Sequence, residues 1–340
     1  MNATDGSAGR IIRPASPWGL GRELVLIAAA LMLLSFVIKV HWMTDFIIFI
    51  IFVLSFDLLY GYMGHLSFGH MLYFGTGAYG TALWLVYAGK DPLAALAAGL
   101  VAAAALAALL GLIVMRTHGA SFALINMAFN EIGHFMIQSP LAGITHGEDG
   151  LSCSSGKLFG VINFYKDEWA FIVAAATLLA VFALLRVLTG SPYGILVRSI
   201  KENEKRVQFL GFSTFRYKWV TFVIASSVAA LAGGMFTLVQ GFVSPRVISP
   251  FGNVDVIFAV LIGGAGGLYG ALVGGMVFML IKNFLPVMIP ELSRLLNVKL
   301  PQWEMWLGIV LLIVVFSVRK GIVGAVRAQW QTRRLSGSPT

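Results

Sequence analysis

Few residues in this chain could do chemistry, and most of them lie inside apolar runs. Asn126, Asn130 and His134 are spaced four apart, so they share one helical face, with Glu131 beside it. Ionisable groups inside membrane-length apolar segments are costly, so they mark either function or internal pairing. Joined by Asp57, His65 and His70, they could relay protons; equally, they could satisfy one another within a helix bundle. A second set is glycine-rich. Gly61-Tyr-Met-Gly64-His65-Leu-Ser67-Phe-Gly69-His70 continues through Gly75, Gly77 and Gly80, and Gly263-Gly264-Ala-Gly266-Gly267 continues through Gly270, Gly274 and Gly275. Glycine at this density implies irregular backbone, which is tolerated at membrane depth only against protein or a watery cavity. Broken helices of this kind line translocation paths. Gly61, Gly64, His65, Ser67, Gly69, Asn126, Asn130, Glu131, Gly263, Gly264, Gly266 and Gly267 are therefore the candidate path. The alternative is close packing by small residues, with Gly266, Gly270 and Gly274 as a small-xxx-small ladder.

Other chemistries are excluded by what those motifs lack. No strand or Gly-Lys-Ser/Thr accompanies the second glycine run, so no complete phosphate-binding loop is present and the chain does not hydrolyse ATP by itself. Metal-ligand spacings of the His-Glu-x-x-His or paired-cysteine kind are absent, as is Gly-x-Ser-x-Gly. The lone Cys153 has no partner for an internal disulfide. Neither catalytic residues nor a metal or cofactor site is expected in this chain.

The elements that must position these residues are set by composition. With 340 residues, 58% hydrophobic and 11% charged, the chain reads as an all-α polytopic membrane protein. Spans are expected near 23–40, 45–60, 71–89, 92–115, 119–138, 169–189, 218–241, 254–268, 268–288 and 303–319, about ten crossings. The short 254–268 segment, running into glycines, suits a half-helix as well as a crossing. Residues 1–22 form an N-terminal tail, 23–322 the membrane domain with an outer loop at 139–168, and 323–340 a C-terminal tail. The apolar run Leu24–Ile38 lacks a cleavage site and reads as a retained first span. With the N-terminus inside, Arg10, Arg13, Arg22, Arg116, Arg186 and the cations of 198–218 and 319–334 fall on the inner face. Lys39, Lys90, Lys157, Lys166, Arg246, Lys282, Arg294 and Lys299 fall outside. This positive-inside bias requires an even number of crossings and puts both termini in the cytoplasm. It also accounts for the net charge of +9 without nucleic acid, since the cations flank apolar spans that face the lipid bilayer.

One long polar island, Ser191–Gly211, is enclosed by these runs. Ser191 can cap a helix that begins at Pro192. Ile195, Val197, Ile200, Val207 and Leu210 make an apolar side, and Arg198, Lys201, Glu202, Glu204, Lys205 and Arg206 a solvated one. Two short amphipathic helices on the cytoplasmic surface are expected, with a charged loop that only fixes topology as the alternative.

Four patches resemble the permease subunits of branched-chain amino acid ABC transporters, in particular the M-type subunit of leucine/isoleucine/valine uptake. They are GYMGHLSFGHMLYFGTGAYG (61–80), NMAFNEI (126–132), SPYGILVRSIKENEKRVQFLGF (191–212) and VLIGGAGGLYGALVGG (260–275). The resemblance implies a bacterial inner-membrane permease that works with a second, related permease, two ATPase subunits holding ATP and Mg, and a periplasmic binding protein. It further implies ATPase docking through Ser191, Pro192, Tyr193, Gly194, Arg198, Glu202, Asn203, Glu204, Arg206 and Gly211. Glutamine is common in the family where His65 stands, asparagine where Asp57 stands, and TGG where Thr145-His146-Gly147 stands. Those departures leave urea, short amides and small organic acids as alternative substrates. A proton-coupled transporter acting alone is the rival from another class.

Overall fold

The computed structural model describes residues 17–158, 160, 162–296, 302, 304–309, 312 and 321–325. The span expected at 303–319 and both tails lie largely outside the described residues. Helices run at α1 (Pro17–Ser35), α2 (Val40–Asp57), α3 (Met71–Leu83), α4 (Pro92–Val114), α5 (Ala120–Gln138) and α6 (Ala142–Thr145). They continue with α7 (Asp167–Gly190), α8 (Pro192–Phe209), α9 (Thr214–Gln240), α10 (Phe251–Gly263) and α11 (Leu268–Leu296). α2 and α3 each run on into a π-helical turn, Leu58–Tyr62 and Trp84–Ala88. The short strands β1 (Leu151–Ser152) and β2 (Phe242–Val243) pair antiparallel and tie the 139–168 loop to the end of α9.

Five of these segments are long and apolar enough to cross a bilayer: Val40–Tyr62, Pro92–Val114, Asp167–Gly190, Thr214–Gln240 and Leu268–Leu295. The chain is an all-α, polytopic membrane protein. Burial divides the five into two classes. The apolar window of α2 is 83% buried and that of α9 72%, against 28% for α4 and α7 and 17% for α11. α2 and α9 therefore form the core, while the others leave apolar side chains outward, which a lipid solvent tolerates.

Small residues permit the closest contacts. α4 buries Ala95, Gly99, Ala103, Ala107 and Gly111 along one stripe. A methyl group on Gly80 would stand 2.7 Å from the Gly99 Cα, and one on Gly77 would stand 2.7 Å from the Ala230 carbonyl carbon of α9. Thr237 of α9 donates to the Ala78 carbonyl at 3.1 Å, fixing the register of α3 on α9.

Two passes through the helix bundle are broken, and both broken ends meet inside it. The chain leaves α2 through irregular residues 63–70 before α3 begins at Met71, and leaves α9 through 241–250 before α10 begins at Phe251. Asn253 Oδ1 accepts from the Met71 N–H at 2.9 Å, so the N-termini of α3 and α10 are joined. At 13 residues α10 is too short to cross by itself, about 20 Å at 1.5 Å per residue. α9 starts beside α8, and the turn after α10 returns there, so 241–263 recrosses the bundle as irregular backbone followed by a half-helix. The apolar run 254–268 thus forms a short helix rather than one of membrane-spanning length, because glycines at 263 and 264 end it. Gly266 also lies in the turn, with φ +83°, so the ladder expected at 266, 270 and 274 is instead Gly263 against Gly270 and Gly274.

Candidate functional site

The polar island folds as two short helices. The Ser191 hydroxyl accepts from the Gly194 N–H at 3.4 Å, and Pro192 occupies the first turn. At Asn203 the backbone leaves the helical region, φ −157° and ψ 92°. The Asn203 side chain then accepts from the Arg206 N–H at 3.0 Å and starts the second helix as its cap. Val197, Ile200 and Val207 are buried, as the apolar spacing implies. Ile195 (39% exposed) and Leu210 (70% exposed), expected on the same side, face outward instead: Ile195 lies about 200° around the first helix from Val197, and Leu210 stands at the end of the second.

The first helix of α8 is planted on the end of α2. Lys201 Nζ donates to the Gly61 carbonyl at 2.7 Å, and the Arg198 guanidinium lies 4.6 Å from the Tyr62 ring centroid. The carbonyl is accessible because the π-helical turn Leu58–Tyr62 interrupts the regular ladder. Gly64, at φ +82°, lies against the stem of Lys201, where an added Cβ would be 2.8 Å from Cγ. One turn before Gly61, the fully buried Asp57 accepts from the Gly266 N–H at 2.8 Å. An added Cβ on Gly61 would collide with the Asp57 carboxylate and would sit 2.7 Å from the Gly266 Cα. Gly61, Gly64, the Gly263–Gly267 turn and α8 are thus a single junction.

The second helix of α8 turns Glu204 inward. Its carboxylate meets Lys218 Nζ at 2.7 Å, accepts from Thr214 at 2.9 Å and lies 3.2 Å from His118 Nε2. Lys218 is only 2% exposed. Glu204 therefore anchors the segment to α9 and to the α4–α5 connection. Partial burial alone would raise the Glu204 carboxyl, but hydrogen bonds from Lys218 and Thr214 and the charges of Lys218 and His118 outweigh it, so it titrates below its ordinary value. A carboxyl depressed in the folded state stabilises above its unfolded pKa and loses that contribution as pH falls through the folded one. At pH 7, Glu204→Gln is expected to lower stability by about 2 kcal/mol. Thermal unfolding in detergent should show the gap to wild type closing as pH descends through the carboxylate range; a gap independent of pH would contradict the assignment.

The remaining polar residues form a separate layer inside the bundle. Asn126 lies roughly 10 Å along α5 from its α8 end. It donates to Ser67 Oγ at 2.9 Å, and Asn130 donates to the Ile248 carbonyl at 2.7 Å. Gly69 packs directly on the Asn126 backbone. His70 Nε2 lies 2.9 Å from Ser55 Oγ, and His65 Nδ1 lies 3.2 Å from the Met63 carbonyl. Ser67, Asn126 and Asn130 are fully buried, and with Asn253 they stitch α5 and the two broken crossings together. Glu131, about 100° around α5 from Asn130, is exposed, and His134 is only half-buried. Asp57, Glu131 and the histidines are not brought into one chain of proton carriers. Sequence spacing could not have exposed Asn253 and Lys201, because their partners lie 182 and 140 residues away.

Comparison with known proteins places this architecture. The family described as branched-chain amino acid transport system / permease component matches residues 38–317. The high-affinity branched-chain amino acid transport system permease proteins LivM of Salmonella typhimurium and Escherichia coli are each 29% identical over 262 residues, covering 70% of this chain and 61% of theirs. The corresponding LivH protein of Escherichia coli is 31% identical over 106 residues, 31% of this chain and 34% of that one. The aligned region thus spans about 61% of the length of the LivM relatives. No solved structure matches. With four-fifths of its length inside the family match, the chain belongs to the branched-chain amino acid transport system permease family.

Proposed function

We propose that this chain is an inner-membrane permease subunit of an ATP-binding-cassette importer that passes branched-chain or other small amino acids inward. It crosses the membrane about ten times, with both termini and α8 on the cytoplasmic side. A second, related permease completes the path. Two ATPase subunits, holding ATP and Mg, dock on α8, and a periplasmic binding protein delivers substrate to the opposite end.

The observation that carries this reading is the construction of α8. Its inner side grips Gly61 through Lys201, while its tip exposes Phe209 (90%), Leu210 (70%) and Phe212 (44%) among the described residues. An apolar tip next to Glu202, Lys205 and Arg206 on a polar surface helix fits a protein partner. Motion of such a partner would be passed to the α2 end and the Gly263–Gly267 turn through Lys201 and Asp57. Asp57 is bonded to Gly266, His70 to Ser55, and Glu131 faces outward, a division that favours this reading over proton coupling.

Affinity purification of the tagged chain from mild-detergent membranes of its host, followed by mass spectrometry, tests the assembly. Recovery of P-loop ATPases and a second permease is expected. Recovery of the chain alone, under conditions that preserve other such importers, would overturn the proposal.

A further inference from the structure

A cavity of about 520 Å³ opens at the end of the bundle opposite α8, between α2, α3, α9, α11 and the irregular stretch after α9. Its wall is aromatic: Phe49, Phe52, Phe74, Phe236 and Phe242 line it, and Met71, the first residue of α3, lies at its inner limit. Four charged side chains also line it, Asp45, Asp255, Lys282 and Arg246, and their charges cancel. Asp255 and Lys282 are paired with each other. That leaves one group of each sign with spare capacity. The Arg246 guanidinium makes no hydrogen bond or ion pair among the described residues, although it carries five donors. Asp45 accepts from the neutral Gln240 amide at 3.0 Å and lies 3.9 Å from His41, with no lysine or arginine paired to it among the described residues.

We infer that this cavity is a binding site for an apolar zwitterion, an α-amino acid with a hydrocarbon side chain. The inference rests on the permease reading above and adds the site to it. A mixed cavity of this size suits a small ligand held by a few placed polar groups over an apolar lining. A ligand of net charge would leave Asp45 or Arg246 without its counter-charge, whereas a zwitterion satisfies both. Arg246 takes the carboxylate, in the bidentate geometry that guanidinium favours. Asp45 takes the ammonium, and the phenylalanine wall takes the hydrocarbon side chain. The inner limit at Met71 sits on the joined ends of α3 and α10, so the next step inward from the site is the broken part of both crossings.

The test is saturation binding of tritiated leucine to the full-length chain, purified with its partner subunits in lipid nanodiscs and without binding protein. Arg246→Gln and Asp45→Asn should each weaken affinity by about tenfold. Analogues separate the two roles. Competition by 4-methylpentanoate, which lacks the ammonium, should suffer in Arg246→Gln and not in Asp45→Asn; 3-methylbutylamine, which lacks the carboxylate, should show the reverse. Wild-type affinity in both variants would overturn the inference, as would absence of saturable binding by the wild type. Loss of phosphatidylglycerol retention in Arg246→Gln with leucine binding intact would also overturn it, and would make Arg246 a lipid contact. ATP-dependent leucine uptake by the wild-type assembly is scored separately. Its absence overturns the permease reading for this substrate, whereas uptake with intact binding in both variants overturns only the site.

Discussion

Gly263→Ala is expected to prevent stable assembly of the chain, while Gly267→Ala, four residues away in the same glycine run, is expected to be silent. A Cβ at Gly263 would collide with the Gly270 carbonyl and stand 2.9 Å from the Gly274 N–H nitrogen. Those obstacles are backbone atoms of α11, so no rotamer change relieves the contact, and α10 and α11 must separate. Overpacking of this kind costs about 3 kcal/mol, a large part of the roughly 5–15 kcal/mol that holds a folded domain together. Separation would also pull Gly266 from Asp57, which would leave that carboxylate buried without its N–H donor. A Cβ at Gly267 meets nothing within 4 Å. Size-exclusion profiles and thermal unfolding of the two variants in one detergent decide the matter, and equal stability would contradict the packing described here.

The second large effect is functional. Phe209→Asp combined with Leu210→Asp should abolish ATP-driven uptake while the chain accumulates in the membrane at the wild-type level. Phe209 and Leu210 are outward among the described residues, so charge there should cost the fold within about 0.5 kcal/mol. At an interface, by contrast, a buried aromatic anchor commonly contributes 2 kcal/mol or more, roughly 30-fold in affinity, and an unpaired carboxylate in its place adds a desolvation penalty. Uptake and co-purification of the ATPase are the two readouts. Normal uptake by the double variant would remove the tip of α8 from the coupling surface. Glu204 is unsuited to the same test, because its carboxylate holds the buried Lys218 and its loss would disturb the fold first.

Much of this molecule is dictated locally and so can be read without coordinates. Runs of about 20 apolar residues have no stable state in water, which determines the membrane class and most helix positions. Ser191 and Pro192 set a helix start by chemistry confined to one turn, and the charges of 198–206 keep α8 out of the apolar bundle. Asn126 and Asn130 share a face because four residues make about one turn, and both are buried as that spacing allows. Glu131 sits one residue from Asn130, a rotation of about 100°, and this alone carries it to the outside.

Tertiary structure decided the rest, because the determining contacts join residues far apart in the chain. Whether a glycine run lines a path or allows close approach depends on what lies opposite. For Gly61 it is Gly266, for Gly69 the backbone at Asn126, and for Gly263 the backbone of α11. Lys201 and Glu204 look equally solvated in sequence, yet one crosses 140 residues to Gly61 and the other holds a buried lysine of α9. Asp45, Arg246 and Lys282 carry no motif at all. They gather around one aromatic cavity because α2, the stretch after α9 and α11 end or pass at the same side of the bundle. Sequence periodicity fixes which face of a helix a residue occupies; only packing fixes what that face meets.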